Sequence, residues 1–432
     1  MSTNAFDKII GYTAIKKELE QIADILKNGD VYKALGVSAP KGLLLHGVPG
    51  VGKSLMASCV IEASGRNCYT CRKNKPNGDF VNHIKETFNE AVENAPSIVF
   101  LDDMDKFANG DERHKDAEEY VTVQSCIDEV KGQDVFVLAT ANNLRILPDS
   151  LKRAGRFDHM IEVNTPVGQD AVNIVEYYLK GKKFVADLDA SFIARVMYGR
   201  SCAELETVIN EAGIYAGFNR SNAITTEHFL KACMHTVFGV STVMDDEIDL
   251  GNKEDESVQV IYHEAGHAVV SEILCSESVT LVSALNSHGR IGGFTSYYHD
   301  SKERLFRWRN SRLLTALGGL AAVEHKFGIR ELGNSRDFHR AFSIVRETIT
   351  EDCLNGFSLY SRGIDDSNDL RSRQEQAVAG EMEKYYRKAK EILAQNAVFL
   401  NKVAAELAKK KLLTTADIQR IKASCTITLV NI

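Results

Sequence analysis

Two short runs of residues in this chain have the types and spacing to do chemistry. The first is His263-Glu264-Ala265-Gly266-His267. On a helix, His263 and His267 are four residues apart and share one face. Both imidazoles can therefore reach one Zn2+, with Glu264 beside the water that such a metal activates. The second run, far upstream, is Gly47-Val48-Pro49-Gly50-Val51-Gly52-Lys53-Ser54, followed by Leu55. Its glycines let backbone N–H groups wrap phosphate oxygens at the positive end of the next helix, where Lys53 and Ser54 meet the β- and γ-phosphates of ATP and a Mg2+ ion. Together the runs imply zinc proteolysis driven by ATP.

Both runs need elements to hold them. Short apolar strands are expected at Gly42–His46, 97–101, 135–139 and 159–163, alternating with amphipathic helices, which reads as a parallel α/β sheet over residues 1–165. From 166 to 240 the strands stop and helical patterns form a lid. The acidic stretch 241–256 has little to bury and reads as a linker. Residues 257–432 are mostly helical, with a β-like interruption from Val279 to Tyr298 and a long helix expected from Gln374 to Asn396. The fold class is thus multidomain α/β plus α, a nucleotide-binding module followed by a mainly helical zinc peptidase domain.

Further site residues follow from these elements. The apolar run Ile98–Leu101 delivers Asp102 to a strand end, where a carboxylate can hold the Mg2+ shell. Asp103 follows, at the position of a base that polarises attacking water. Asn142, after the strand at 135, suits a γ-phosphate sensor. Arg153 and Arg156 are spaced to point toward a neighbouring subunit's γ-phosphate, a role that requires an oligomer. A zinc hydrolase needs a third protein ligand. Asp337, Glu324, His325 and His339 are the candidates, and Asp337 is favoured because it opens an amphipathic helix that Asn334 or Ser335 can cap.

Composition sets the limits. With 432 residues, 44% hydrophobic and 26% charged, the chain has ample material for two or three cores. A net charge of −7 argues against nucleic acid as a partner. Nine cysteines without a paired framework, and no signal peptide, favour a cytoplasmic protein. The close pair Cys68 and Cys71 reads as packing. No apolar run reaches the ~18 residues of a membrane span, so no intrinsic anchor is expected.

On these motifs the chain resembles the FtsH family of AAA+ zinc metalloproteases. The resemblance runs from about Ile10-Gly11 to at least Phe357 and rests on GVPGVGKS, IVFLDDMDK, ATANN, LKRAGRFD, GRSCAELETVINEAG, YHEAGHA, LGGLAAVE and LGNSRDF in the family's order. It implies a homo-hexameric ring, ATP-driven unfolding of protein substrates, zinc on His263, His267 and Asp337, and Glu264 as the catalytic residue. It also places Gly11 and Ala203 at the nucleotide, Ala203 near the adenosine end. The strand Gly293, Phe294, Thr295 is similar to one that pairs with extended substrate in the family.

The chain departs from the family in three ways. It starts at the ATPase module without transmembrane helices, and Asp103 replaces a glutamate, which predicts slow hydrolysis. Pro76-Asn77-Gly78 stands where the family has an aromatic pore loop, which predicts weak unfolding, with Tyr69 or Phe80 as substitute aromatics and Arg72, Lys73 and Lys75 as a solvated basic surface or a grip on acidic segments. The reading is an ATP-dependent zinc endopeptidase acting on unfolded or loosely folded proteins. The alternatives are a peptidase whose ATPase only gates the ring, and a non-proteolytic AAA+ remodelling or adaptor protein.

Overall fold

The computed structural model describes residues 4–73, 77–108, 117–153, 155–240, 250, 255–285, 292–298, 306–329, 335–350 and 368–430. They form two compact units divided between Thr225 and Thr226.

In the first unit, α1 (Thr13–Lys27) and α2 (Gly29–Ala34) lead into β1 (Gly42–His46), α3 (Lys53–Ser64), β2 (Asn67–Cys71), α4 (Asn77–Glu93), β3 (Ser97–Leu101), α5 (Ala117–Glu129), β4 (Val135–Ala141) and β5 (His159–Glu162). Three helices follow, α6 (Gly168–Leu179), α7 (Ala190–Val196) and α8 (Cys202–Phe218). The strands pair in parallel in the order β2-β3-β4-β1-β5. Every residue of β3 and β4 is buried, which is why these strands read as unbroken apolar runs. The C-terminal ends of β1, β3 and β4 emerge side by side, so the P-loop, Asp102 and Asn142 meet at one edge of the sheet.

The edge strand β2 lacks an apolar run because it is half exposed, and sequence pattern did not announce it. It carries both members of the close cysteine pair. Cys71 is fully buried, and burial pushes its thiol up to about 12, in keeping with packing.

The second unit comprises α9 (Thr226–Phe238), α10 (Glu256–Leu274), β6 (Val279–Ser283), β7 (Phe294–Tyr297), α11 (Phe306–Phe327), α12 (Ser335–Thr350), α13 (Asn368–Gln395), α14 (Ala397–Lys410), β8 (Leu412–Thr414) and α15 (Thr415–Ala423). Helix α9, grouped with the lid in the sequence reading, is compact with this unit. The three strands form a sheet ordered β7-β6-β8 with β7 at its edge. Helix α10 is buried on all sides from Tyr262 to Leu274, as its apolar circumference requires. Val269, Leu314, Leu400 and Val403 pack in the same core, each contributing ~1.5–3 kcal/mol by burial.

Most of the expected linker 241–256 lies outside the described residues. Its end starts α10, where the Asp255 carboxylate caps the helix by accepting from the Ser257 N–H at 2.8 Å. Among the described residues no helix is long and apolar enough to cross a membrane.

Candidate functional site

Helices α10 and α11 approach backbone to backbone. A Cβ on Gly266 would lie 2.4 Å from the Gly318 carbonyl oxygen and from the Ala322 Cβ, and one on Gly319 would lie 2.4 Å from the His263 ring. Only glycine permits this spacing, and it seats the His263 ring on the α11 backbone. One turn further along, the Nδ1 of His267 bonds the Thr315 carbonyl oxygen at 2.7 Å. A carbonyl only accepts, so Nδ1 carries the proton and Nε2 keeps its lone pair for a metal.

Asp337 comes from the first turn of α12. Its Oδ2 lies 3.3 Å from the Nε2 of His263 and 3.3 Å from that of His267, while the two Nε2 atoms are 2.9 Å apart. The three ligand atoms lie within 4.8 Å of one another. Zinc bonds of about 2.0–2.1 Å in a tetrahedron put ligand atoms about 3.3 Å apart, so two edges of this triangle have that length and the third is slightly short. The donor set of two imidazoles and a carboxylate suits Zn2+ and leaves a fourth position open.

The other candidate ligands are placed elsewhere. Glu324 accepts from Lys390 Nζ at 2.6 Å and from the Tyr386 hydroxyl, and His325 and His339 are exposed. Of the expected caps of α12, Asn334 lies outside the described residues.

The charges in this site reinforce one another. Burial works against a charged His267, but Asp337 and Glu264 outweigh it and raise its pKa. Burial also works against the Asp337 carboxylate, and the two histidines overcome it, holding Asp337 well below the usual range. Glu264 is raised because burial exceeds the pull of His267 and His263. Thr295, on β7, donates its hydroxyl to Glu264 Oε2 at 2.7 Å. Beside it, a Cβ on Gly293 would lie 2.6 Å from Glu264 Cγ, so the strand reaches the glutamate only because glycine stands there. The structure thus brings the expected strand Gly293, Phe294, Thr295 to Glu264, with only β6 paired to it among the described residues. The glycines of α11 enter the sequence analysis only within the family motif LGGLAAVE, and the Thr315 carbonyl, two residues before it, has no signal there.

In the first unit, Lys53 Nζ donates to the carbonyls of Gly47 at 2.7 Å and Val48 at 3.0 Å, and to Asn142 Oδ1 at 2.8 Å. The Ser54 hydroxyl donates to Asp102 Oδ1 at 3.2 Å, and so does Thr140 at 2.8 Å. A hydroxyl and a carboxylate so placed suit a Mg2+ shell. Asn142 Nδ2 donates to Asp103 Oδ1 at 3.2 Å. A cavity of about 820 Å3 extends from the P-loop past Leu55, Tyr12, Cys202 and Ala203. The Ala203 N–H donates to the Gly50 carbonyl at 3.0 Å, tying the start of α8 to the P-loop. Gly11 sits next to this cavity in a left-handed conformation (φ 68°), with Asp170 packed against it.

Several expectations change. Phe80 is fully buried in α4, edge-on to Phe107 with ring centroids 5.1 Å apart, so it belongs to the core and cannot grip substrate. Tyr69 packs partly buried against the same core. Arg72, with 64% of its side chain exposed, lies 3.4 Å from Asp102 and 3.9 Å from Asp103, and Lys73 lies 3.0 Å from Glu119, so both cations pair with carboxylates of their own unit. Pro76 lies outside the described residues. Arg156 forms a two-bond pair with Asp128, at 3.0 and 2.6 Å, whereas Arg153 is exposed.

A P-loop ATPase unit joined to a helix bearing His-Glu-Ala-Gly-His, completed by an aspartate, defines an ATP-driven zinc peptidase. Residues 43–165 match the AAA family, described as ATPase family associated with various cellular activities, and residues 251–421 match peptidase family M41. The chain is 31% identical over 441 residues to the ATP-dependent zinc metalloprotease FtsH 2 of Symbiobacterium thermophilum, covering 96% of this chain and 74% of that protein. It is 32% identical over 360 residues to the FtsH protease of Ureaplasma parvum, covering 80% of this chain and 49% of the relative. With that of Caldicellulosiruptor bescii it shares 29% over 459 residues, 96% and 71% of the two. The chain belongs to the FtsH family of ATP-dependent zinc metalloproteases.

Proposed function

We propose that His263, His267 and Asp337 hold the zinc and that Glu264 is its proton-transfer partner in cleaving peptide bonds of unfolded or loosely folded proteins. The observation that carries this reading is the triangle of three ligand atoms with Glu264 at its side. Zinc bound there supplies the Lewis acidity that activates water and polarises the amide carbonyl. Glu264 accepts the proton from the attacking water at a carboxylate oxygen and delivers it to the leaving amine nitrogen. The Thr295 hydroxyl fixes the Glu264 rotamer, and Thr315 fixes the tautomer of His267.

In the ATPase, Gly47 to Leu55 wrap the phosphates, Ser54 and Asp102 hold Mg2+, Asp103 orients the attacking water and Asn142 senses the γ-phosphate. Gly11 and Ala203 border the nucleoside. The chain assembles as a homo-hexamer in which Arg153 and Arg156 reach a neighbour's nucleotide. The exposure of Arg153 supports this role directly, whereas Arg156 must first exchange Asp128 for the phosphate. A reducing, cytoplasmic setting fits a chain whose described cysteines form no disulfide.

Zinc content tests the ligand assignment. Wild type and Glu264→Gln should each retain one equivalent of zinc after dialysis, and His263→Ala, His267→Ala and Asp337→Ala should each lose it. Full zinc in Asp337→Ala would remove that residue from the set.

A further inference from the structure

Strand β7 is held from two sides. Alternation turns Thr295 and Phe294 to opposite faces. Thr295 faces Glu264, and Phe294 stacks on Phe238 of α9, with ring centroids 3.9 Å apart and planes 12° from parallel. The two rings join Met234, Val240, Leu285 and Leu412 in a small cluster of their own, apart from the main core. Phe238 lies between the two family matches, outside the segment assigned to the peptidase.

Backbone bonding alone holds β7 weakly. The strand is four residues long and pairs only with β6 among the described residues, and the register shifts between Val279 and Leu281. Thr295 can hold Glu264 only while the strand stays within hydrogen-bond reach, because such a bond weakens steeply once its distance or angle is lost. The Phe238 ring supplies a rigid, flat support behind the strand at that point, opposite the catalytic glutamate.

We infer that Phe238 is a positioning residue for proteolysis: by stacking on Phe294 it keeps β7 against α10, so that Thr295 maintains Glu264 in its working orientation. The inference rests on Glu264 being the proton-transfer residue. It predicts a loss in the chemical step with zinc intact, because Phe238 acts through Phe294 and Thr295 on Glu264.

The test uses the full chain and an internally quenched peptide, with kcat, KM and zinc content measured for wild type, Phe238→Ala, Phe238→Leu, Phe238→Tyr and Glu264→Gln. Phe238→Ala should lower kcat about tenfold with KM nearly unchanged and zinc retained. Phe238→Leu, which fills the cluster without a ring, should show the same loss, and Phe238→Tyr, which keeps the stack, should restore kcat. Wild-type kcat in Phe238→Leu would overturn the inference even if Phe238→Ala fails to fold. So would a Tyr variant as impaired as the Leu variant. Wild-type cleavage by Glu264→Gln would instead overturn the proton-transfer reading beneath it, whatever the Phe238 variants do.

Discussion

A single methyl group added at Gly319 should disable the metal site. Its Cβ would stand 2.4 Å from Cε1, 2.5 Å from Nε2 and 2.6 Å from Nδ1 of His263. Carbon atoms rest about 3.5–4.0 Å apart, so either the ring or the α11 backbone must give by about 1 Å. The backbone is pinned, since Gly318 and Ala322 already press on Gly266. The ring must therefore move, taking Nε2 out of the triangle, and zinc sites tolerate only about 0.2 Å in ligand distance. The expected result is at least a 100-fold loss of zinc affinity, about 2.7 kcal/mol, with overpacking costing ~1–3 kcal/mol of stability besides.

The assay is competition with a chromophoric chelator, alongside thermal unfolding. Gly380→Ala is the control, because nothing lies within 4 Å of its added Cβ in α13 and alanine there should stabilise the helix by ~0.5–1 kcal/mol. Wild-type zinc affinity in Gly319→Ala would refute the close-approach reasoning.

Other predictions follow from the same geometry. Protons should compete with zinc at His267, whose pKa is raised, so affinity should fall about tenfold per pH unit for each proton displaced as pH drops through that pKa. Asp337, held low, should not set this limb; affinity that stays flat from pH 8 to pH 5 would contradict this. Asp103→Glu should raise ATP turnover by extending the carboxylate one methylene toward the attacking water, and a variant no faster than wild type counts against the short side chain as the cause.

The Arg156 bonds hold the Asp128 pKa at about 2, below its unfolded value, so the pair's stabilisation is present above the ordinary aspartate pKa and lost as pH falls through about 2. With 37% of the Asp128 side chain exposed, screening leaves ~1 kcal/mol. Asp128→Asn should therefore lower the urea midpoint of the first unit at pH 7 and converge with wild type near pH 2; a difference independent of pH would exclude the ion pair.

What was legible in the sequence was chemistry carried by neighbours in the chain. The P-loop and the His263–His267 helix are contiguous, and strands buried on both faces announce themselves as apolar runs. Asp337 was reached by asking which candidate opens a helix. Contacts between distant elements were not legible: the Thr295 hydroxyl on Glu264, the Thr315 carbonyl behind His267 and the Phe238 ring behind β7 each depend on how helices and strands pack. Phe80 was misjudged because a lone aromatic near a loop looks the same in sequence whether its helix turns it outward or, as here, into the core beside Phe107. Arg72 is the surface charge it looked like, but its partners, Asp102 and Asp103, follow a different strand and were not legible.

The most direct measurement is degradation of an unfolded, fluorescently labelled protein by zinc-loaded chain whose assembly state has been established, with ATP, without nucleotide, and with Glu264→Gln. Cleavage that requires both ATP and Glu264 is the predicted result. Cleavage by an assembled ring that persists without nucleotide, or that survives the loss of Glu264, would contradict a zinc site served by this glutamate and driven by the P-loop.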